Sequence, residues 1–350
     1  FAFASAMHKI LKQILQYGLS LGLMGLFIYW AFEGINRGEL WDAMTGISPV
    51  WAAVMCVATL GTLVLRAWRW MVLMRPFAPQ VNNLNASLAL AICYAANVVV
   101  PRSGEVLRCV SLKWTTGASI SALMATIVVE RILDLFWLIV LFWLIVYVDI
   151  ALPVLWMPVD ADRDTIGLLA LAGCLIALSA LVLVSVYREK ILAGMRPLLT
   201  RIAWGRGERV LEIIETFIGG LSALRQQPTA YFEILVSSIL LNGAYVFIVY
   251  AAFIGMGLDQ TYDLDAAAAL VIMAISSIGV IVPTPGAIGS YHLLFGEAMH
   301  RLYTVPLATA LACATLTHAL ATLTYVFVGG PTLLWQWHRS RQDSSEDPDD

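Results

Sequence analysis

Apolar residues run through this chain in long blocks, near 14–32, 49–65, 84–100, 118–148, 165–187, 234–256, 264–283 and 305–328, with short polar stretches between them. A helix that crosses a bilayer needs about 20 such residues. Eight hydrophobic helices are therefore available, and no segment alternates in the way a strand would. Between Arg188 and Gln227 the pattern changes: Ile191, Met195, Leu198 and Ile202, then Leu211, Ile214, Phe217, Leu221 and Leu224, recur at helical spacing among charges. That spacing predicts amphipathic helices over 188–231 lying on a membrane surface.

Two of the hydrophobic blocks end alike. The first reads VVVPRSGEVLR from Val98 and the second VIVPTPGAIGS from Val280. Each stops at a proline, Pro101 or Pro283, and places a glycine three residues later, Gly104 or Gly286; the second copy adds Pro285 and Gly289. Proline ends a helix and glycine lets the chain reverse, so each copy predicts a broken helix or hairpin inside a hydrophobic region. Paired breaks of this kind mark the substrate site of transporters built from repeats.

Composition makes the chain a membrane protein: 60% of its 350 residues are hydrophobic and 13% charged. The net charge of −3 matters less than its sidedness. Lys9 and Lys12, then Arg66, Arg69 and Arg75, then the basic stretch 188–231, then Arg339 and Arg341 mark one side; the acid-rich 149–164 and 257–265, together with 33–48, mark the other. Basic loops face the cytoplasm. Both termini are therefore expected there, in a bacterial inner membrane. A re-entrant hairpin and one span in repeat A (about 84–148), with the same from the opposite face in repeat B (about 264–328), satisfies this sidedness; legs that cross fully would give ten spans with the same sidedness but carry Arg102, Glu105 and Arg108 through lipid. The expectation is an all-α polytopic membrane protein with about six spanning helices plus two oppositely oriented re-entrant hairpins, an inverted repeat. One transmembrane domain covers 1–337, and an acidic disordered tail covers 338–350. The opening FAFASA lacks the basic start and apolar core of a signal peptide.

Charges inside the hydrophobic blocks cost roughly 2.5–3.5 kcal/mol each on insertion scales, so clusters of them need a reason. Glu130 and Asp134 share a helix face at four-residue spacing, with Arg131 beside them; the first break adds Arg102, Glu105 and Arg108. These residues could be an ion-pair network that fixes helix register, or they could line a polar path. On the second reading the helix restarting at Gly104 aims its amides at a phosphate beside Arg102, and arginine holds a phosphodiester with two parallel bonds. The second copy offers His292 and His318 instead. Arg66 and Arg69, interleaved with Trp68 and Trp70, fit interfacial side chains reaching for headgroups. The five cysteines lack metal-ligand spacing, and no GxxxxGK[ST] phosphate loop is present. No cofactor, metal or nucleic acid is expected.

The motifs R-A-W-R-W at 66–70, N-x-x-x-P-R-x-G-E-x-x-R from Asn97 to Arg108, E-R-x-x-D from Glu130 to Asp134, and P-x-P-G-x-x-G at 283–289 resemble the flippase-like transmembrane domain of lysylphosphatidylglycerol synthases and its stand-alone relatives. The resemblance adds Asn97 to the residues of the first break. It implies translocation of aminoacylated phosphatidylglycerol or of polyprenyl-phosphate sugars between leaflets. Many relatives carry glutamate at the position of His292 and arginine at that of His318, which implies a second half-site of different charge. The soluble aminoacyl-transfer domain of the larger synthases does not come after the last hydrophobic block, so synthesis of lysyl-lipid is not expected. The partner implied is a membrane lipid, in a monomer or a homo-oligomer. A membrane-embedded transferase or hydrolase acting on a polyprenyl-phosphate lipid is the alternative.

Overall fold

The computed structural model describes residues 18–147, 187–200 and 228–346, with a few positions between 168 and 176. The described residues form helices and no strands. In chain order these are α1 (Gly18–Phe32), α2 (Arg37–Thr45), α3 (Pro49–Met74), α4 (Asn83–Val99), α5 (Ser103–Thr116), α6 (Ile120–Tyr147), α7 (Arg188–Thr200), α8 (Pro228–Gly255), α9 (Leu258–Thr261), α10 (Ala266–Ile281), α11 (Ser290–Tyr303) and α12 (Leu307–Glu346).

Three helices among the described residues are long and apolar enough to cross a membrane: Pro49–Met74, Thr229–Gly255 and Leu307–Gln342. The pair α1 and α2, bent by 90°, makes a fourth if taken as one span. Helix α6 has the length, at 28 residues, and carries Glu130, Arg131 and Asp134 within it. The hydrophobic block at 165–187 and most of the amphipathic stretch lie outside the described residues. Its last residues, 228–231, belong to α8, which starts at Pro228 because proline is suited to a first helical turn. The acidic tail expected at 338–350 differs as well. Helix α12 continues through Glu346, and residues 347–350 lie outside the described residues.

Helices α3 and α8 form the antiparallel backbone of the fold. The Ser48 N–H at the start of α3 donates to the Gly255 carbonyl at the end of α8 (2.8 Å), and at the other end Arg75 makes two bonds to Glu233 (2.9 and 2.7 Å). Two apolar clusters sit at opposite ends of this pair. One gathers Met55 of α3, Leu141 and Ile145 of α6, the C-terminal half of α8, and α10, α11 and the start of α12. The other gathers Leu63, Ala67 and Trp70 of α3, Leu123 and Ile127 of α6, and α4 with α5. The α4–α5 pair thus packs at one end of the long helices and the α10–α11 pair at the other.

Each pair doubles back at its predicted break. In the first, the Asn97 side chain accepts from the Gly104 N–H (2.8 Å), and Gly104 lies so close to the Cys93 carbonyl that a methyl group there would collide with it. The far ends of α4 and α5 return to one level, where Gln80 donates to the Thr116 carbonyl (3.2 Å). In the second, α10 ends at Ile281, Pro285–Ala287 make a single 3-10 turn, and α11 starts at Ser290. Gly286, Ala287 and Gly289 take positive φ there, a conformation glycine adopts freely. The two turns touch: a methyl group at Gly286 would stand 3.5 Å from the Val98 Cα.

Candidate functional site

The charged residues converge where α3, α5, α6 and α8 meet. Glu130, Arg69 and Arg108 are 0% exposed and Arg66 is 7% exposed. Arg66 Nη1 bonds Glu130 Oε1 (2.7 Å) and Asp134 Oδ2 (3.1 Å), Arg69 bonds Asp134 Oδ1, and Arg108 Nη2 lies 2.8 Å from Glu130 Oε2. From α8, Tyr245 and Ser238 accept from Arg66 and Arg69 at 3.4 Å each. The Arg108 guanidinium stands 4.5 Å over the Trp70 ring, and the Trp70 indole N–H is bonded to Thr126 (2.8 Å), which fixes the plate on which the cation rests.

The helices bring these groups together by elementary geometry. Arg66 and Arg69, three residues apart, share a face of α3; Glu130 and Asp134, four apart, share a face of α6. Facing each other across α3 and α6, the two carboxylates are bridged by two guanidinium groups, and α5 inserts Arg108 from the side. Arg66 and Arg69 are therefore not interfacial. Their side chains turn inward because the carboxylates of α6 offer better partners than headgroups at that depth. Sequence proximity to Trp68 and Trp70 points the wrong way, since Trp70 is itself fully buried.

Three buried guanidinium groups face two carboxylates, so the cluster carries an excess positive charge. The hydrogen bonds are also incomplete. Arg66 Nε and Arg69 Nε, all three nitrogens of Arg108, Glu105 Oε2 and Glu130 Oε2 are buried without a hydrogen-bond partner among the described residues. The contact of Arg108 with Glu130 thus has ion-pair distance without hydrogen-bond alignment. Leaving such groups unpaired costs free energy; an acceptor-rich anion would satisfy the guanidinium donors, whereas the carboxylate oxygens of Glu105 and Glu130 call for a donor.

The remaining residues expected at the site are spread from its edge to the second turn. Arg102 is exposed at the first turn, with left-handed backbone (φ 62°). Arg131 is on the rim, 48% exposed by its side chain and 3.5 Å from Asp134. The phosphate site expected at the amides of α5 is narrowed by local bonds. The first two amides are already taken, Ser103 N–H by the Val100 carbonyl and Gly104 N–H by Asn97, and Arg108 presents free donors of its own. His292 and His318 are grouped at the second turn with ring centroids 5.0 Å apart, away from the carboxylates of α6. The described residues contain no group of three or more His, Cys, Asp or Glu able to hold a metal ion.

Broken hydrophobic helices around a buried, arginine-rich cluster define the class as a helical membrane protein with a charged interior, and comparison narrows it. The chain belongs to the family described as the lysylphosphatidylglycerol synthase TM region, which matches residues 14–329. It is similar to the glycosyltransferase AglD of Haloferax volcanii, at 23% identity over 337 residues, covering 89% of this chain and 52% of that protein. The chain spans about half the length of this curated relative. No solved structure matches it.

Proposed function

We propose that the protein is a lipid transporter, a flippase or scramblase, that passes an anionic phospholipid, an aminoacylated phospholipid or a polyprenyl-phosphate-linked lipid between leaflets. The observation that carries this reading is the buried excess of guanidinium, with the unpartnered N–H groups of Arg108, Arg66 and Arg69 beside a broken helix. A phosphodiester supplies one negative charge and several acceptor oxygens, which is what the cluster lacks.

The legs of the two hairpins support re-entrance. At 17 and 14 residues, α4 and α5 reach about 26 and 21 Å at 1.5 Å per residue, and α10 and α11, at 16 and 14 residues, about 24 and 21 Å. All are shorter than a hydrocarbon core of about 30 Å. Their packing at opposite ends of α3 and α8 supports entry from opposite faces, as in an inverted repeat. The basic residues near the α4–α5 end support a cytoplasmic location for that end by the positive-inside rule, and with it the reading of cytoplasmic termini in an inner membrane.

Translocation of fluorescent phosphatidylglycerol, lysyl-phosphatidylglycerol and a polyprenyl-phosphate sugar in proteoliposomes tests the proposal. Wild type is expected to move at least one of them, and Arg108→Gln and Glu130→Gln, reconstituted in equal amount, to lose that movement. Protein-independent rates for all three would overturn it. The name of the Haloferax relative favours a second reading, a transferase acting on a polyprenyl-phosphate lipid, which predicts a new lipid product in detergent solution.

A further inference from the structure

The second turn holds a pair of imidazoles whose protonation pattern is fixed by backbone. His318 Nε2 lies 2.7 Å from the Gly286 carbonyl oxygen. A carbonyl only accepts, so this nitrogen carries the hydrogen, and in the neutral ring Nδ1 is left as a bare acceptor. His292, in the first turn of α11, is held the opposite way. Its Nδ1 accepts from the Gly289 N–H (3.4 Å), which leaves Nε2–H as the free donor.

The rings stand 5.0 Å apart, centroid to centroid and tilted by 61°, and no hydrogen bond joins them. Neither free nitrogen has a partner among the described residues. His292 is 6% exposed and His318 half-buried. Around them are the rings of Tyr291, at 5.4 Å from His318, and Phe32, at 6.1 Å from His292; the Tyr291 hydroxyl is within 3.3 Å of Thr317. No carboxylate makes an ion pair with either histidine among the described residues.

We propose that His292 and His318 form a neutral subsite for a hydroxyl group, of the kind carried by a sugar or by glycerol. One free donor and one free acceptor at ring-to-ring spacing suit a group that donates and accepts at once. A phosphate oxygen would satisfy only His292 Nε2–H, and an ammonium only His318 Nδ1. The aromatic rings beside the pair provide an apolar wall for the carbon skeleton that bears the hydroxyl. As a station for a lipid headgroup this rests on the transport reading; as a hydroxyl site it is tested without any lipid.

The test is 15N-histidine NMR of the full chain in phosphatidylcholine nanodiscs, with the two rings assigned from His292→Gln and His318→Gln. Before any addition, His318 is expected protonated on Nε2 alone and His292 on Nε2 alone with Nδ1 bare; a different tautomer in either ring would sink the proposal, and should a Gln variant fail to fold, the near-isosteric His292→Asn or His318→Asn variant supplies the assignment. Methyl glucoside and glycerol are then titrated against methyl glucoside with all its hydroxyls O-methylated. The expected result is a saturable shift of His318 Nδ1 and His292 Nε2 with the hydroxylated probes, at least tenfold weaker with the blocked sugar and absent from the remaining ring of each variant. The stronger of the two hydroxylated probes identifies the source as sugar or glycerol. Equal shifts with the blocked sugar, or none with any probe because a bound water already fills the role, would overturn it. A normal histidine response with no lipid translocation would instead count against the transport reading alone.

Discussion

Arg108 and Glu130 lie 2.8 Å apart with both side chains fully buried, yet no nitrogen of Arg108 makes a well-aligned hydrogen bond. The pair holds α5 against α6 by charge and leaves the directional bonds of the guanidinium unused. The unused donors make the cluster, and the hairpin that carries it, sensitive to substitution in ways that can be measured.

Removing one charge should cost more than removing two. Glu130→Gln leaves three guanidinium groups facing Asp134 alone, and breaking a buried pair in this way typically costs about 3–5 kcal/mol. The double change Arg108→Met with Glu130→Gln removes one charge of each sign and should recover a good part of that loss. Thermal unfolding in detergent reads the stability, and proteoliposome assays read translocation, which should stay absent from the double variant. Recovery of both would make the cluster a structural element.

The first hairpin tolerates no side chain at Gly104. A methyl group there meets the Cys93 carbonyl and its neighbouring backbone atoms, which cannot move aside. Gly104→Ala should therefore separate α4 from α5 and lower the melting temperature. The control is Gly61→Ala in α3, where nothing lies within 4 Å and alanine is a better helix former by roughly 1 kcal/mol. Equal melting temperatures for the two variants would contradict the packing described for the hairpin.

Gly329 in α12 should behave as Gly104 does. Its missing side chain admits the Ala91 carbonyl of α4, so Gly329→Ala pushes α12 away from the first hairpin. The neighbouring Gly330 has open space on its Cβ side, and Gly330→Ala should leave the melting temperature unchanged or raise it slightly. A side-by-side melting curve decides this.

At the end of α3, Arg75 and Glu233 are partly exposed, 38% and 23% by side chain. Water screens such pairs, and exposed ones contribute roughly 0–1 kcal/mol. Glu233→Ala should change stability by no more than that and leave translocation at the wild-type rate. A loss comparable to that of Glu130→Gln would mean that this end of the helix pair belongs to the working site.

Labelling measures re-entrance. With the native cysteines replaced, single cysteines at Gln80 and Thr116 should react with a membrane-impermeant maleimide from one side only and from the same side, because the two ends of the hairpin are hydrogen-bonded there. A cysteine at the exposed Arg102 should be unreactive from the opposite side if the legs stop within the bilayer. Reaction of Arg102→Cys from the opposite side would show legs that cross fully.

The range of each interaction decides how much of the fold and site is legible in the chain. The breaks at Pro101–Gly104 and Pro283–Gly286 are local chemistry, so their positions can be read directly. The pairing of Glu130 with Asp134 on one face is likewise a matter of helical period. Arg66 and Arg69 look interfacial in the sequence and are not, because nothing within their own segment says which way a long side chain turns; their partners are 64 and 65 residues away. A signal does exist. Two arginines at three-residue spacing on one hydrophobic helix match two carboxylates at four-residue spacing on another, a complement that weighing each helix alone cannot find. Tyr245, Ser238 and Trp70 carry no such signal, since each is an ordinary residue of an apolar helix until its neighbours are known.

The meeting of the two turns, Val98 against Gly286, has a mechanical meaning. Among the described residues no hydrogen bond ties one turn to the other, and Gly286 puts no side chain between them. The joint is a bearing with bare faces. Any relative movement of the turns is therefore limited by what holds each to the last helix, Gly286 through its carbonyl bond to His318 and α4 through its packing at Gly329, and not by a bond between the turns themselves.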